Sequence, residues 1–334
     1  MKIAMVSPWK VRCGIYMYTE KLTRALAKSG VETYIIRLPR FGTKTPEILE
    51  NVAESIPSEA DLIHVQHEYG LYQQLEEFFY RSLRRLGKPV VTTMHATGLR
   101  YDLDKAVSEG SDVIIVHNKF CQSRLEYSSE IIPHGCELAE TNPREKSKRA
   151  LMINPKNSTV GYLGFISNYK GLEALIKAMI PVNAELIVAG GWHTGDETDY
   201  ITKLRDMTLK MLPDRCKWTG FVQDELLPTV YGAIDVFVYP SIFSTESGAL
   251  LTALSHGKAV IASNLPPFKE KEEAGALTTF ENVQDLTKKI ENLLSNQGMR
   301  EKLEKGARDY ALRNSWYPNI AEKHIELYEK LRKK

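Results

Sequence analysis

Short runs of β-branched residues alternate with longer amphipathic stretches, and after about residue 158 the alternation starts again. Few folds admit that pattern. Strands apolar from end to end must be covered on both faces, and parallel strands need a crossover, usually helical, between them. The runs predicted as strands are Ile3–Val6, Tyr34–Leu38, Leu62–Gln66, Val90–Met94, Val113–His117 and Glu130–Pro133 in the first series. The second series is Thr159–Leu163, Glu185–Ala189, Cys216–Thr219, Val236–Tyr239, Ala259–Ala262 and Leu277–Phe280. A helix is expected from about Tyr16 to Lys28, stopped by Ser29-Gly30. The charged, apolar-poor segment Cys136–Ser158 reads as a linker between the two series. The expected fold class is α/β, with two Rossmann-like, doubly wound parallel sheets facing across a cleft. The expected domains are 1–145 and 146–315, followed by an amphipathic helix at 316–334 with Ile320, His324, Leu327 and Leu331 on one face.

Length and charge narrow the function classes. A chain of 334 residues exceeds one average domain. A net charge of +2 gives no whole-molecule argument for nucleic acid. Cys13, Cys121, Cys136 and Cys216 form no C-x-x-C pair, which favours free thiols in a reducing compartment over a zinc site. The N-terminus enters a strand at once, without a signal-peptide core, and no apolar run approaches a membrane span. The expected location is therefore cytoplasmic, or peripheral to the inner face of a membrane. Arg81, Arg84, Arg85 and Lys88 could touch anionic headgroups, although a solvated helix face is the plainer reading.

Two loops carry the sharpest chemistry. "GFISNYKGLEALIKA" starts at Gly164 and sets Lys170 at a helix entrance, where the helix dipole disfavours a cation unless an anion is held there too. "YPSIFSTESGALLTALSHGKAVIAS" offers Ser247, Gly248, Ala249 and Leu250 at a second entrance, with unpaired N–H groups and little side-chain bulk. Together they suit a diphosphate. Glu246 would repel that anion and is better used on sugar hydroxyls. Gly14 in the first strand–helix loop would admit a close ligand, or is an ordinary turn glycine with positive φ. His95 ends a strand and could meet a sugar hydroxyl or move a proton; loop bracing is the alternative. His67 and Glu68 read as an acceptor-side or structural pair, and His117 and His134 as cleft-lining or structural.

The motifs "RCGIYMYTEKL", "HVQHEYGLY", "VVTTMHATG", "IIPHG", "GFISNYKGLEALIKA", "TGFVQDELLPTVYGAIDVFVYPS" and "SGALLTALSHGKAVIAS" span nearly the whole chain. Jointly they resemble the retaining, GT-B-fold nucleotide-sugar glycosyltransferases of the family 4-like group 1. The resemblance implies a metal-independent hexosyltransferase, with the nucleotide sugar as co-substrate and no other cofactor. The acceptor would be a glycan, a lipid-linked molecule or a small molecule. By motif, Lys170 would hold the diphosphate and Ser247–Leu250 would donate to phosphate and sugar. His95 would contact the sugar, Gly14 would lie against phosphate, and Phe221 and Val222 would meet the base. The terminal helix would return to the first domain. Two departures stand out: Ser244 and Thr252 occupy the register of the family's glutamate pair, and no arginine precedes Lys170 within 165–169. They keep two other readings open, a scaffold that binds a nucleotide sugar without transfer and a nucleotide-sugar epimerase.

Overall fold

The computed structural model describes residues 1–11, 13–39, 42–191 and 198–333. Arg12, Arg40 and Phe41 lie outside the described residues. The chain forms two compact units, residues 1–135 with 314–334, and residues 136–313.

Unit 1 holds β1 (Lys2–Ser7), β2 (Glu32–Arg37), β3 (Leu62–His67), β4 (Val90–Met94), β5 (Val113–Val116) and β6 (Glu130–Ile131). They form one parallel sheet in the order β2-β1-β3-β4-β5-β6. Unit 2 holds β7 (Thr159–Leu163), β8 (Glu185–Ala189), β9 (Cys216–Gly220), β10 (Val236–Tyr239), β11 (Ala259–Ser263) and β12 (Thr278–Phe280). Its order is β12-β11-β10-β7-β8-β9, again parallel. Every predicted strand is present within about two residues of its expected ends. The central strands β3, β4 and β10 are buried along their whole length, as strands covered by helices on both faces must be.

Each sheet has a point where the strand order reverses. In unit 2 it lies between β7 and β10, so the loops leaving those two strands diverge and open a crevice at the carboxyl ends. Those loops carry Lys170 and Ser247.

The linker reading of 136–158 is corrected by the structure. Arg144–Ala150 is a helix packed on the helix Leu227–Ala233, with Ser147 and Lys148 fully buried. Asp235 explains it. Its carboxylate takes Lys148 Nζ at 2.7 Å and Arg144 Nε at 2.5 Å, and also accepts from Thr159 N at 2.9 Å. A charged segment counts as surface only until a buried counter-charge is found for it.

The last helix, Ala321–Arg332, buries His324, Leu327, Tyr328 and Leu331, with Ile320 just before it, in the unit 1 core. Trp316 lies against Tyr18 there, ring centroids 5.0 Å apart.

Candidate functional site

The crevice of unit 2 brings together residues that are far apart in sequence. Lys170 ends a short 3₁₀ turn (Asn168–Lys170), and Gly171 with φ +63° separates it from the helix Leu172–Ala178. A Cβ on Gly171 would stand 2.3 Å from the Pro240 carbonyl oxygen, so glycine is required for this turn to close on the β10 loop. The two loops are then stitched by their backbones. Tyr169 O accepts from Ile242 N at 2.8 Å and from Ser241 Oγ at 3.0 Å.

The ammonium of Lys170 donates to Tyr239 Oη at 2.6 Å, and Ser247 Oγ donates to the same oxygen at 2.7 Å. Lys170 also lies 4.5 Å from the Tyr169 ring centroid and 5.1 Å from that of Tyr239. Burial lowers the Lys170 pKa from its ordinary value, and the Tyr169 hydroxyl partly opposes it. An anion beside the ammonium would reverse that shift.

Ser247 caps the helix Gly248–Ser255, its Oγ accepting from Leu250 N at 3.2 Å. The N–H groups of Gly248 and Ala249 stand ahead of the helical bonding pattern, and a side chain at Gly248 would meet open space. Gly164 ends β7 beside this helix; a Cβ there would lie 3.4 Å from Ala249 Cβ. The phosphate-loop residues predicted in unit 2 therefore share one end of its sheet.

Glu246 is engaged within the protein. Its Oε1 accepts from Ser247 N at 2.8 Å, and its Oε2 lies 2.9 Å from the Nζ of buried Lys271. The Glu246 charge raises the Lys271 pKa against the burial that lowers it. At the two departures from the family pattern, Ser244 Oγ donates to Glu246 O at 3.1 Å and Thr252 Oγ1 donates to Gly248 O at 2.8 Å. Phe221 is exposed just past β9, and Val222 is half-buried against the core.

Unit 1 holds the remaining predicted residues. Gly14 is corrected in its conformation: it opens the helix Gly14–Lys28 and is not among the positive-φ residues, whereas Lys10 in the same loop is. A Cβ at Gly14 would meet nothing, so the position is open rather than strained. His95 leaves β4 with Nε2 2.9 Å from Gln66 Oε1 and Nδ1 3.3 Å from His117 Nε2. His117 Nδ1 in turn donates to the Ile132 carbonyl at 3.0 Å. Tyr18 packs edge-on against His95 and His134. Burial, then the neighbouring imidazoles led by His117, hold the His95 pKa well below 6.5, so it is neutral near pH 7. His67 pairs with buried Glu76 at 3.4 Å, while Glu68 caps the turn at Gly70, so the two adjacent side chains take different structural partners.

The cations read as a solvated helix face have protein partners: Arg81 with Glu77, Arg84 with Asp112, Arg85 with Glu50, and Lys88 with the Ser58 and Ala60 carbonyls. Among the described residues no helix is long and apolar enough to cross a membrane, and no His, Cys, Asp and Glu group could hold a metal ion.

Sequence reasoning missed Tyr239, Lys271 and Gly171. Tyr239 was legible only as a strand residue, because its partners Lys170 and Ser247 come from other parts of the chain.

Residues 143–310 match the family model described as Glycosyl transferases group 1. An uncharacterized glycosyltransferase, MJ1607 of Methanocaldococcus jannaschii, is 26% identical, with 98% of each chain covered. The lipopolysaccharide core biosynthesis mannosyltransferase LpsB of Rhizobium meliloti is 25% identical over 75% of this chain and 78% of its own. Among solved structures, Anabaena Alr3699/HepE in complex with UDP and glucose superposes with a TM-score of 0.80 at 19% identity, covering 99% of this chain and 100% of that one. Sucrose-phosphate synthase from Thermosynechococcus elongatus gives 0.81 at 20%, covering 99% of both.

Proposed function

The chain belongs to the group 1 glycosyl transferases, an enzyme of GT-B fold, and on that footing we propose that it moves a hexose from a nucleoside-diphosphate sugar with retention of configuration. The observation that carries this reading is the cluster of Lys170, Tyr239 and the capped helix start at Ser247 in the unit 2 crevice. As the bond from sugar C1 to phosphate oxygen breaks, negative charge grows on the leaving diphosphate. Lys170 and the N–H groups of Gly248 and Ala249 stabilise that charge without a metal, by fixed dipoles and one cation. The acceptor oxygen bonds to C1 from the same face, and its proton passes to the leaving phosphate. Glu246, paired with Lys271, keeps the loop before the helix in place.

Support for a nucleotide-sugar donor comes from relatives: HepE was solved with UDP and glucose, and LpsB is a mannosyltransferase. We assign His95 to the transferred sugar by its motif, Gly14 to phosphate, and Phe221 with Val222 to the base. The acceptor is a glycan, a lipid-linked molecule or a small molecule. The reaction is expected to survive a chelator.

A thermal-shift panel of UDP-, GDP- and ADP-sugars on wild type and Lys170→Ala tests the reading, since a ligand specific to the folded state raises the melting temperature. One nucleotide class should stabilise wild type and not the variant. Turnover of Lys170→Ala should fall by about 100-fold or more with the apo melting temperature unchanged. Equal shifts in both proteins would remove Lys170 from the phosphate site.

A further inference from the structure

The opposite end of the unit 2 sheet holds a second polar cavity of about 400 Å³, lined by Thr141, His256, Gly257, Lys258, Glu304, Lys305, Arg308 and Asp309. Lys258 immediately precedes β11, so this cavity sits at the amino ends of the strands, whereas Lys170 and Ser247 follow carboxyl ends. Lys258 is only 9% exposed, and among the described residues its ammonium has no hydrogen-bond or ion-pair partner. Its nitrogen is not sealed in the core: the ammonium opens to the cavity, where it feels the opposite charges of Glu304 and Asp235 and can meet an anion. Burial lowers the Lys258 pKa, and the charges of Glu304 and then Asp235 oppose that shift.

The other side chains around Lys258 are already placed. Arg308 Nη1 spans the carbonyls of Ala139 at 2.7 Å and Ser255 at 3.1 Å, which fixes its guanidinium on the wall. His256 stacks on Tyr231 with centroids 4.3 Å apart and directs Nδ1 to the Glu140 carbonyl at 3.1 Å. Lys305 is exposed on the rim. Three cations thus converge on a cavity that carries two carboxylates, and burial raises the pKa of one of them, Glu304.

We propose that this cavity is an anion site for a phosphate group, inorganic or as the monoester of a hydroxylated small molecule. Lys258 and Arg308 would grip the phosphate, Lys305 would close over it, and Glu304 and Asp309 would accept from hydroxyls of an ester. The site is separate from the crevice, and the proposal stands whether or not the donor reading holds.

The test is isothermal titration of the full chain with inorganic phosphate and, in parallel, with glycerol phosphate. Lys170→Met, which removes the cation of the crevice, should still bind, and adding Lys258→Met to it should weaken that remaining binding by about tenfold or more. Lys305→Ala alters only an exposed side chain, so it guards against misfolding of Lys258→Met; it should weaken binding by about threefold. Tighter binding of the ester than of phosphate would identify an organic phosphate as the occupant, and equal binding the free ion. Binding lost in Lys170→Met and kept in Lys258→Met would overturn the proposal. So would the absence of heat from wild type at millimolar phosphate.

Discussion

Tyr239 sets the geometry of the crevice at the scale of single atoms. One phenol oxygen meets both the cation and the helix cap, and the ring is clamped by Tyr162, stacked at 6.1 Å, and by Phe268, edge-on at 5.7 Å. Tyr239→Phe removes the oxygen and keeps the packing. Loss of a hydrogen bond to a charged group costs about 1.5–3 kcal/mol of stability, and with Lys170 no longer held in place kcat/KM should fall by about tenfold or more. The loss should be smaller in a Lys170→Met background; additive losses would mean the phenol does not act through Lys170. At this scale the sequence is legible where chemistry is local. Lys170, the Ser247 cap and the open Gly248 could be read from one loop each. Tyr239 and Lys271 could not, because what they do depends on partners 69 and 25 residues away.

Among elements, the short helix Arg144–Ala150 depends on a single carboxylate. Asp235 is held down at about 2, from an ordinary 3.8, by Arg144 and Lys148 working against its burial. Its contribution to stability is therefore full above pH 3.8 and is lost as pH falls through about 2. Asp235→Ala leaves Lys148 buried without its carboxylate, and should cost about 3–5 kcal/mol in urea unfolding of unit 2. A cost below about 1 kcal/mol would show that the helix is held by its packing on 227–233 alone. The strands were readable because short β-branched or apolar runs recur between longer amphipathic stretches, and each run alone would have been ambiguous. The helix at 144–150 was not, since a period cannot show that a lysine is buried when its counter-ion lies 87 residues ahead.

For the molecule as a whole, acid should act unevenly on the two units. His64, His95 and His324 in unit 1 are all held below 6.5 chiefly by burial, His324 to about 4. Unit 2 has His256 at about 4. Each is neutral when folded and takes a proton when unfolded. Stability therefore falls as pH drops below 6.5, and continues to fall toward 4, with three such groups among the described residues of unit 1 against one in unit 2. Calorimetry between pH 7 and 4.5 should show the unit 1 transition moving down further than that of unit 2; parallel shifts would refute the assignment. Removing residues 314–334 should destabilise unit 1 by several kcal/mol, since Trp316, Ile320, Tyr328 and Leu331 leave its core and His64 Nδ1 loses Tyr328 Oη at 2.6 Å. Residues 136–313 expressed alone should still unfold cooperatively.

Unit 1 is built from two separated pieces of chain, and that fixes an order of events during synthesis. The ribosome must make all of residues 136–313 between them, which at about 5–20 residues per second takes about 10–40 s. Throughout that interval the core side of the first helix, with Tyr18, Leu22 and Leu26, lacks the terminal segment that covers it in the finished protein. The unit encoded second is thus the first that can be completed, and the core of the unit encoded first stays open until the terminal helix emerges.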